Sequence, residues 1–209
     1  MIGIYGGTFD PVHHGHLRTG VEVHESLCLS RLHWLPSATP PHRPAPLASA
    51  AQRLAMLRLA IQERAAWCVD TRELERPGPS YMVDTLVSLR GEFPDVPLLL
   101  FMGLDALRGL SSWRRWRNLF DHAHLVVMTR PGYEPPALEP FLAERIAPPT
   151  ALRETLAGRL CFQPVTPLAI SATAIRALIA AGRDPSFLLP DAVLAYIRQH
   201  RLYSDSPRF

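Results

Sequence analysis

The stretch 97–102, PLLLFM, contains no polar side chain and runs directly into Gly103, Leu104 and Asp105. Successive residues of a strand point to opposite faces, so a strand of this composition must be covered on both sides. That is the situation of a central strand in a parallel sheet, and it fixes the fold class more firmly than any other segment. The carboxylate of Asp105 follows at the carboxyl end of this strand, where open α/β sheets bind ligands.

The remaining chain fits the same plan. Strands are expected at 2–5, 31–35, 67–69, 123–129 and 160–163, and helices at 14–29, 50–64, 81–93, 111–118, 171–181 and 190–200. Helix 50–64 has Leu54, Leu57 and Ile61 on one side, and helix 171–181 stops at Gly182. Between them, 36–46 (PSATPPHRPAP) cannot hold a ladder because proline lacks the N–H donor, so it reads as a surface loop. Segment 70–79 reads as a polar connection and 133–149 as an irregular excursion with a helix candidate at 140–146, followed by a helical-turn candidate at 153–156. Strands alternating with helices at these intervals imply one α/β domain over 1–209, a Rossmann-like, doubly wound, mostly parallel sheet with helices on both faces. The C-terminal helices from 171 onward should pack at a sheet edge or beside a nucleotide.

Charge excludes little: 22 basic against 19 acidic residues give a formal +3 over 209 residues. A nucleic-acid binder would usually concentrate its charge. The one basic cluster, Arg114, Arg115 and Arg117, is interleaved with Trp113 and Trp116 and reads as a solvated helix with partly packed indoles. No nucleic-acid partner is expected. Cys28, Cys68 and Cys161 are scattered and lack CxxC spacing, which disfavours a zinc site or a disulfide framework and favours a reducing compartment. No apolar run approaches the roughly 18–20 residues of a membrane span. A cytoplasmic protein with no membrane partner is the expectation, and a homo-oligomeric state is compatible with the sequence.

Chemistry concentrates in two places. At the start, MIGIYGGTFDPVHHGHL joins an apolar run to Gly6 and Gly7, then a hydroxyl, a carboxylate, a proline and three histidines. A glycine turn followed by a helix N-terminus would bring backbone N–H groups and a favourable dipole to a phosphate. Neither GxGxxG nor GxxxxGK[ST] is present. Thr8 could cap a turn or donate to phosphate, and Asp10 could close an Asx turn or arrange metal or phosphate. His13 and His16, three apart, can share a helical face; metal ligands, packed imidazoles and donors to a transferring phosphate are all open. The second place is ISATAIR, in which Ser171 or Thr173 can cap the incoming helix and Arg176 can make an anion clamp at its N-terminus.

These residues carry a resemblance. GGTFDPVHHGHL resembles the HxGH nucleotidyltransferase signature, with His13 and His16 on its two histidines, and ISATAIR resembles ISxTxxR. Between them PPHRP, SYMVDTL, GLDAL and the Trp113 region look, in the same order, like the bacterial nicotinate-nucleotide adenylyltransferase family. The resemblance implies adenylyl transfer from ATP to nicotinate mononucleotide, giving deamido-NAD and pyrophosphate with Mg²⁺ held mainly by substrate phosphates and no protein metal site. It implies that Gly6, Gly7, Thr8, Phe9, His13, His16, Asp105, Ser171, Thr173 and Arg176 surround ATP, with His16, His13 and Arg176 acting in catalysis. His42 and Arg43 would be a phosphate-binding loop. Tyr81, Met82, Asp84, Thr85 and Trp113 would line the nicotinate side, with Trp113 stacking on the pyridine ring. Met82 stands where threonine is common, and Arg114 where an aromatic is frequent. A nicotinamide-preferring enzyme, a phosphopantetheine adenylyltransferase and a non-catalytic nucleotide-binding protein are the alternatives.

Overall fold

The computed structural model describes residues 1–38, 45–133 and 138–204. Six strands, β1 (Ile2–Gly7), β2 (Arg31–Pro36), β3 (Trp67–Val69), β4 (Leu98–Gly103), β5 (His124–Thr129) and β6 (Leu160–Pro164), form one sheet in the order β3-β2-β1-β4-β5-β6. Every adjacent pair is parallel. The chain winds outward from β1 to β3, returns to β4 beside β1, and winds outward again to β6. The order therefore reverses between β1 and β4, and the crevice beyond their carboxyl ends is the place such sheets reserve for ligands. Ile2 lies opposite Leu98 and Tyr5 opposite Phe101, so Gly7 and Gly103 both end at the rim of that crevice.

The apolar runs are covered on both faces, as their composition requires. On one face Tyr5, Leu32, Trp34, Leu99, Phe101 and Val126 meet α1 (His14–Ser26), α2 (Ala50–Ile61), α8 (Ala172–Ala180) and α9 (Asp191–Gln199). On the other Ile4, Leu98, Leu100, Met102, Leu125 and Val127 meet α4 (Met82–Glu92), α5 (Leu104–Arg108) and α6 (Leu119–His122). Alternate residues of the same strands supply the two cores, each fully buried large apolar side chain contributing roughly 1.5–3 kcal/mol. The short helices α3 (Arg72–Glu75) and α7 (Pro140–Ala143) sit in the connections.

Several local expectations are revised. The segment 111–118 is not one helix: Arg115 adopts the left-handed region (φ 50°, ψ 40°) and separates two 3₁₀ turns, Leu110–Ser112 and Trp116–Asn118. The polar connection 70–79 contains α3, and the turn expected at 153–156 forms earlier, at Pro149–Arg153, where proline suits the first helical position. The buried side of α2 is Arg53, Met56, Leu57 and Ile61, with Arg53 in the place where periodicity puts Leu54. The C-terminal helices lie over the first face, α9 packing on α2. No helix of the described residues is long and apolar enough to cross a membrane. His42 and Arg43 fall outside the described residues.

Candidate functional site

Gly6 and Gly7 are still strand, paired with Leu35 and Pro36 of β2. Neither has a positive φ; the residue in the left-handed region is Phe9, at φ 49°. The glycines are needed for space. A Cβ on Gly7 would stand 2.8 Å from the Phe9 ring, and one on Gly6 would stand 3.2 Å from the Met82 methyl. Phe9 is buried, folded back edge-on against Tyr5 and His16 at centroid distances of 6.0 and 5.2 Å. Its role is to support the turn and the imidazole from the core.

His13 is the N-cap of α1 and His16 lies in its first turn, so both face the same way, with rings stacked at 3.8 Å. Gly15 makes this possible: a Cβ there would stand 3.0 Å from the His13 ring and 3.4 Å from the Ile170 carbonyl. The second motif thus comes up against the first at its glycine. The His14 N–H donates to the Leu188 carbonyl (3.0 Å), which anchors the α1 N-terminus to the loop between α8 and α9. His13 Nδ1 and His16 Nδ1 are buried without a hydrogen-bond partner. Burial, then the neighbouring His14, pushes the His13 pKa down to about 4; burial, then His13, pushes His16 down to about 3. Both imidazoles are neutral near pH 7, and an arriving anion would favour their protonated forms.

Ser171 caps α8, its Oγ accepting from the Ala174 N–H (3.2 Å). Arg176 reaches back, Nη1 donating to the Asp10 carbonyl (2.7 Å) and Nη2 to Thr173 Oγ1 (3.3 Å). Asp10 is the junction of the region. Its buried carboxylate accepts from the Leu47 N–H (2.8 Å), the Ala48 N–H (3.2 Å) and the Tyr203 hydroxyl (2.6 Å). Arg53 completes the frame from beneath, donating to the carbonyls of Thr8 (2.7 Å) and Ala38 (3.1 Å). Arg53 and Tyr203 carried no sequence signal for this role, because their partners lie 45 and 193 residues away.

Beside this group a cavity of about 370 Å³ opens at the β1–β4 crevice. Gly6, Gly7 and Thr8 form one wall; Tyr81, Met82, Trp113 and Arg114 form another; Gly103 and Asp105 form a third. Two contacts bring the tryptophan segment against α4: the Arg114 guanidinium lies 4.7 Å over the Tyr81 ring, and Arg115 pairs with Asp84. Arg117 lies over Trp116 and Phe141. The basic cluster is thereby engaged within the molecule. The Asp105 carboxylate is almost wholly solvent-exposed, near Arg108 (3.1 Å). Tyr5 lines the cavity and stands edge-on to His16 at 6.4 Å, so the histidine group and the cavity are contiguous.

Asp84 and Thr85 are not part of the cavity wall. Thr85 is fully buried; its hydroxyl donates to Glu73 Oε1 (2.9 Å) and accepts from Arg76 Nη1 (3.1 Å). Glu73, which sequence reasoning did not single out, is the buried carboxyl group that does line the cavity. Burial raises its pKa, against the lowering effects of the Thr85 hydrogen bond and the Arg76 charge. Among the described residues no group of three His, Cys, Asp or Glu side chains could hold a metal ion. Just beyond the end of β1, Asp10 is already committed to three donors, so the donors facing the crevice suit anions.

Comparison with known proteins places the chain in a family and matches its fold. Residues 4–178 match the family model described as cytidylyltransferase-like. The "Probable nicotinate-nucleotide adenylyltransferase" of Methylococcus capsulatus is 50% identical over 209 residues, covering 98% of this chain and all of the relative. The protein of the same description from Pseudomonas aeruginosa is 52% identical over 207 residues, covering 97% and 96%. In three dimensions the chain shares the fold of Plasmodium falciparum nicotinic acid mononucleotide adenylyltransferase complexed with APC, at TM-score 0.72 and 15% identity over 97% of this chain and 96% of that one.

Proposed function

The chain belongs to the nicotinate-nucleotide adenylyltransferase family, and from that premise we propose that it transfers the adenylyl group of ATP to nicotinate mononucleotide, forming deamido-NAD and pyrophosphate. The observation that carries this reading is the Arg176–Asp10 bond. It joins two anion-suited helix N-termini, those of α1 and α8, at the edge of a cavity whose far wall is aromatic.

In this reading a phosphate oxygen of nicotinate mononucleotide attacks the α-phosphorus of ATP in line. The new O–P bond forms as the bond to the β-phosphate oxygen breaks, and pyrophosphate leaves with that electron pair. A phosphate monoester is largely dianionic near neutral pH, so the nucleophile needs no protein base. The protein's work is to place two repelling anions and to stabilise charge in transit. His16 and His13 donate to the polyphosphate through the first turn of α1, and Arg176 clamps it from α8, together with Ser171 and Thr173. Gly6, Gly7 and Thr8 let the phosphates approach the β1 backbone, and Asp105 receives a ribose at the end of β4. Tyr81, Met82 and Trp113 take the pyridine end. His42 and Arg43, which lie outside the described residues, are assigned to the phosphates in this reading on the resemblance of PPHRP alone.

Mg²⁺ suits this site as a companion of ATP, because the donors present favour the phosphates and leave the ion to phosphate oxygens. When bound it neutralises charge on the polyphosphate. The reading further takes 1–209 as one domain, with 171–209 completing the ATP side. A cytoplasmic setting suits its three free cysteines.

The test is purified protein with ATP and Mg²⁺, given nicotinate mononucleotide, nicotinamide mononucleotide or phosphopantetheine in parallel. Deamido-NAD and pyrophosphate should form fastest with the first. Preferential turnover of another acceptor would reassign the substrate, and no adenylyl transfer to any of them would refute the enzyme.

A further inference from the structure

Glu73 lies in a four-residue helix outside both motifs, yet its carboxyl group is buried at the cavity wall and its two ends are held by the segment opposite. Its backbone carbonyl accepts from the Ser80 hydroxyl (3.2 Å), and its Oε1 accepts from the Thr85 hydroxyl (2.9 Å). Arg76 extends the chain, donating to Thr85 Oγ1 (3.1 Å). Ser80 and Thr85 bracket the first turn of α4. Within that turn the Asp84 and Thr85 N–H groups bond to the Tyr81 carbonyl, and Tyr81, the N-cap, supplies no side-chain acceptor. The Met82 and Val83 residues between them line the cavity, and the Met82 methyl reaches towards Gly6 across the crevice.

Resting on the acceptor assignment above, we propose that Glu73 is a positioning residue for the acceptor nucleotide: by holding Ser80 and Thr85 together it fixes the opening turn of α4 against the cavity. The carboxyl group acts as a bolt between α3 and α4. Its loss lets the turn rotate away from Trp113 and Arg114, so the pyridine end of the site loosens while the ATP end, built on β1, α1 and α8, keeps its own frame. This also gives Thr85 its role, which is to orient Glu73 from a fully buried position.

Steady-state kinetics of Glu73→Ala, Glu73→Gln and Thr85→Val, with each substrate varied in turn, test the proposal. Wild-type turnover of nicotinate mononucleotide is measured first; its absence would refute the acceptor assignment, independently of Glu73. Given that turnover, Glu73→Ala and Thr85→Val should raise KM for nicotinate mononucleotide about tenfold or more while KM for ATP moves less than twofold. Glu73→Gln should recover most of the loss, since its amide oxygen still accepts from Thr85. Equal changes in both KM values, unchanged kinetics in Thr85→Val, or a Glu73→Gln variant as impaired as Glu73→Ala would each overturn it. If Glu73→Ala does not fold, the other two variants decide.

Discussion

Tyr203→Phe removes one hydroxyl at the end of the chain, and the structure says what that hydroxyl is worth. It donates to Asp10 Oδ1 at 2.6 Å in a half-buried setting. Hydrogen bonds to charged groups contribute roughly 1.5–3 kcal/mol. Asp10 Oδ1 keeps the Ala48 N–H, and phenylalanine buries no polar atom, so the net loss should be about 1–2 kcal/mol. For a domain of this size that lowers Tm by roughly 2–8 °C. The pH dependence is more specific. Burial first, then the hydrogen bond and charge of Asp10, raise the Tyr203 pKa far above its ordinary 10. A folded pKa above the unfolded one gives stability that is complete below pH 10 and lost as pH rises beyond it, because only the unfolded chain then releases the proton. Tyr5, also raised by burial, produces its own alkaline loss in both proteins and cancels from the difference. Urea unfolding of wild type and variant at pH 7, 9 and 11 should therefore show a gap of about 1–2 kcal/mol at pH 7 and 9 that narrows at pH 11. A gap below about 0.3 kcal/mol at pH 7, or one unchanged at pH 11, would refute the junction at Asp10.

Three other outcomes follow from the same geometry. Stability should fall as pH drops from 6.5 towards 4 and 3, because His13 and His16 stay neutral in the fold while the unfolded chain takes up protons; replacing both with Asn should flatten that limb in a Tm-against-pH series. His16→Ala should lower kcat about 10²–10³-fold, the range for losing a donor to developing charge, with a near-wild-type circular dichroism spectrum; full turnover would remove His16 from the mechanism. Gly20→Ala would place a Cβ 2.6 Å from the Trp34 ring and 3.2 Å from Trp67, and should cost about 1–3 kcal/mol in denaturant melts without a selective change in either KM.

The strands were readable because their apolar runs are local: 97–102 needs no knowledge of the rest of the chain to demand two covered faces. The two phosphate motifs were readable for the same reason, being contiguous strings. Residues that act through distant partners left no such trace. Asp10 looks like an ordinary turn aspartate until Leu47, Ala48 and Tyr203 arrive at its carboxylate. Thr85 sits in a recognisable string, and its hydroxyl nonetheless turns inward to Glu73. Arg53 lies on the apolar face of α2 with Leu57 and Ile61, where its charge argues for solvent, and its burial follows from the Thr8 and Ala38 carbonyls it satisfies. The break at Arg115 was equally hidden, since helix propensity carries no information about its pairing with Asp84.

The junction at Asp10 also sets a schedule. Arg176 and Tyr203 reach it from 166 and 193 residues downstream. At about 5–20 residues per second, synthesis separates the first motif from these partners by roughly 10–40 s. Before residue 176 is made, the carbonyl and carboxylate of Asp10 lack two of their donors and the α8 half of the site does not exist; before residue 203 the carboxylate still lacks one. Until residue 203 has been made, a nascent chain therefore carries an unfinished nucleotide pocket, its first motif waiting on donors that come far later in the sequence.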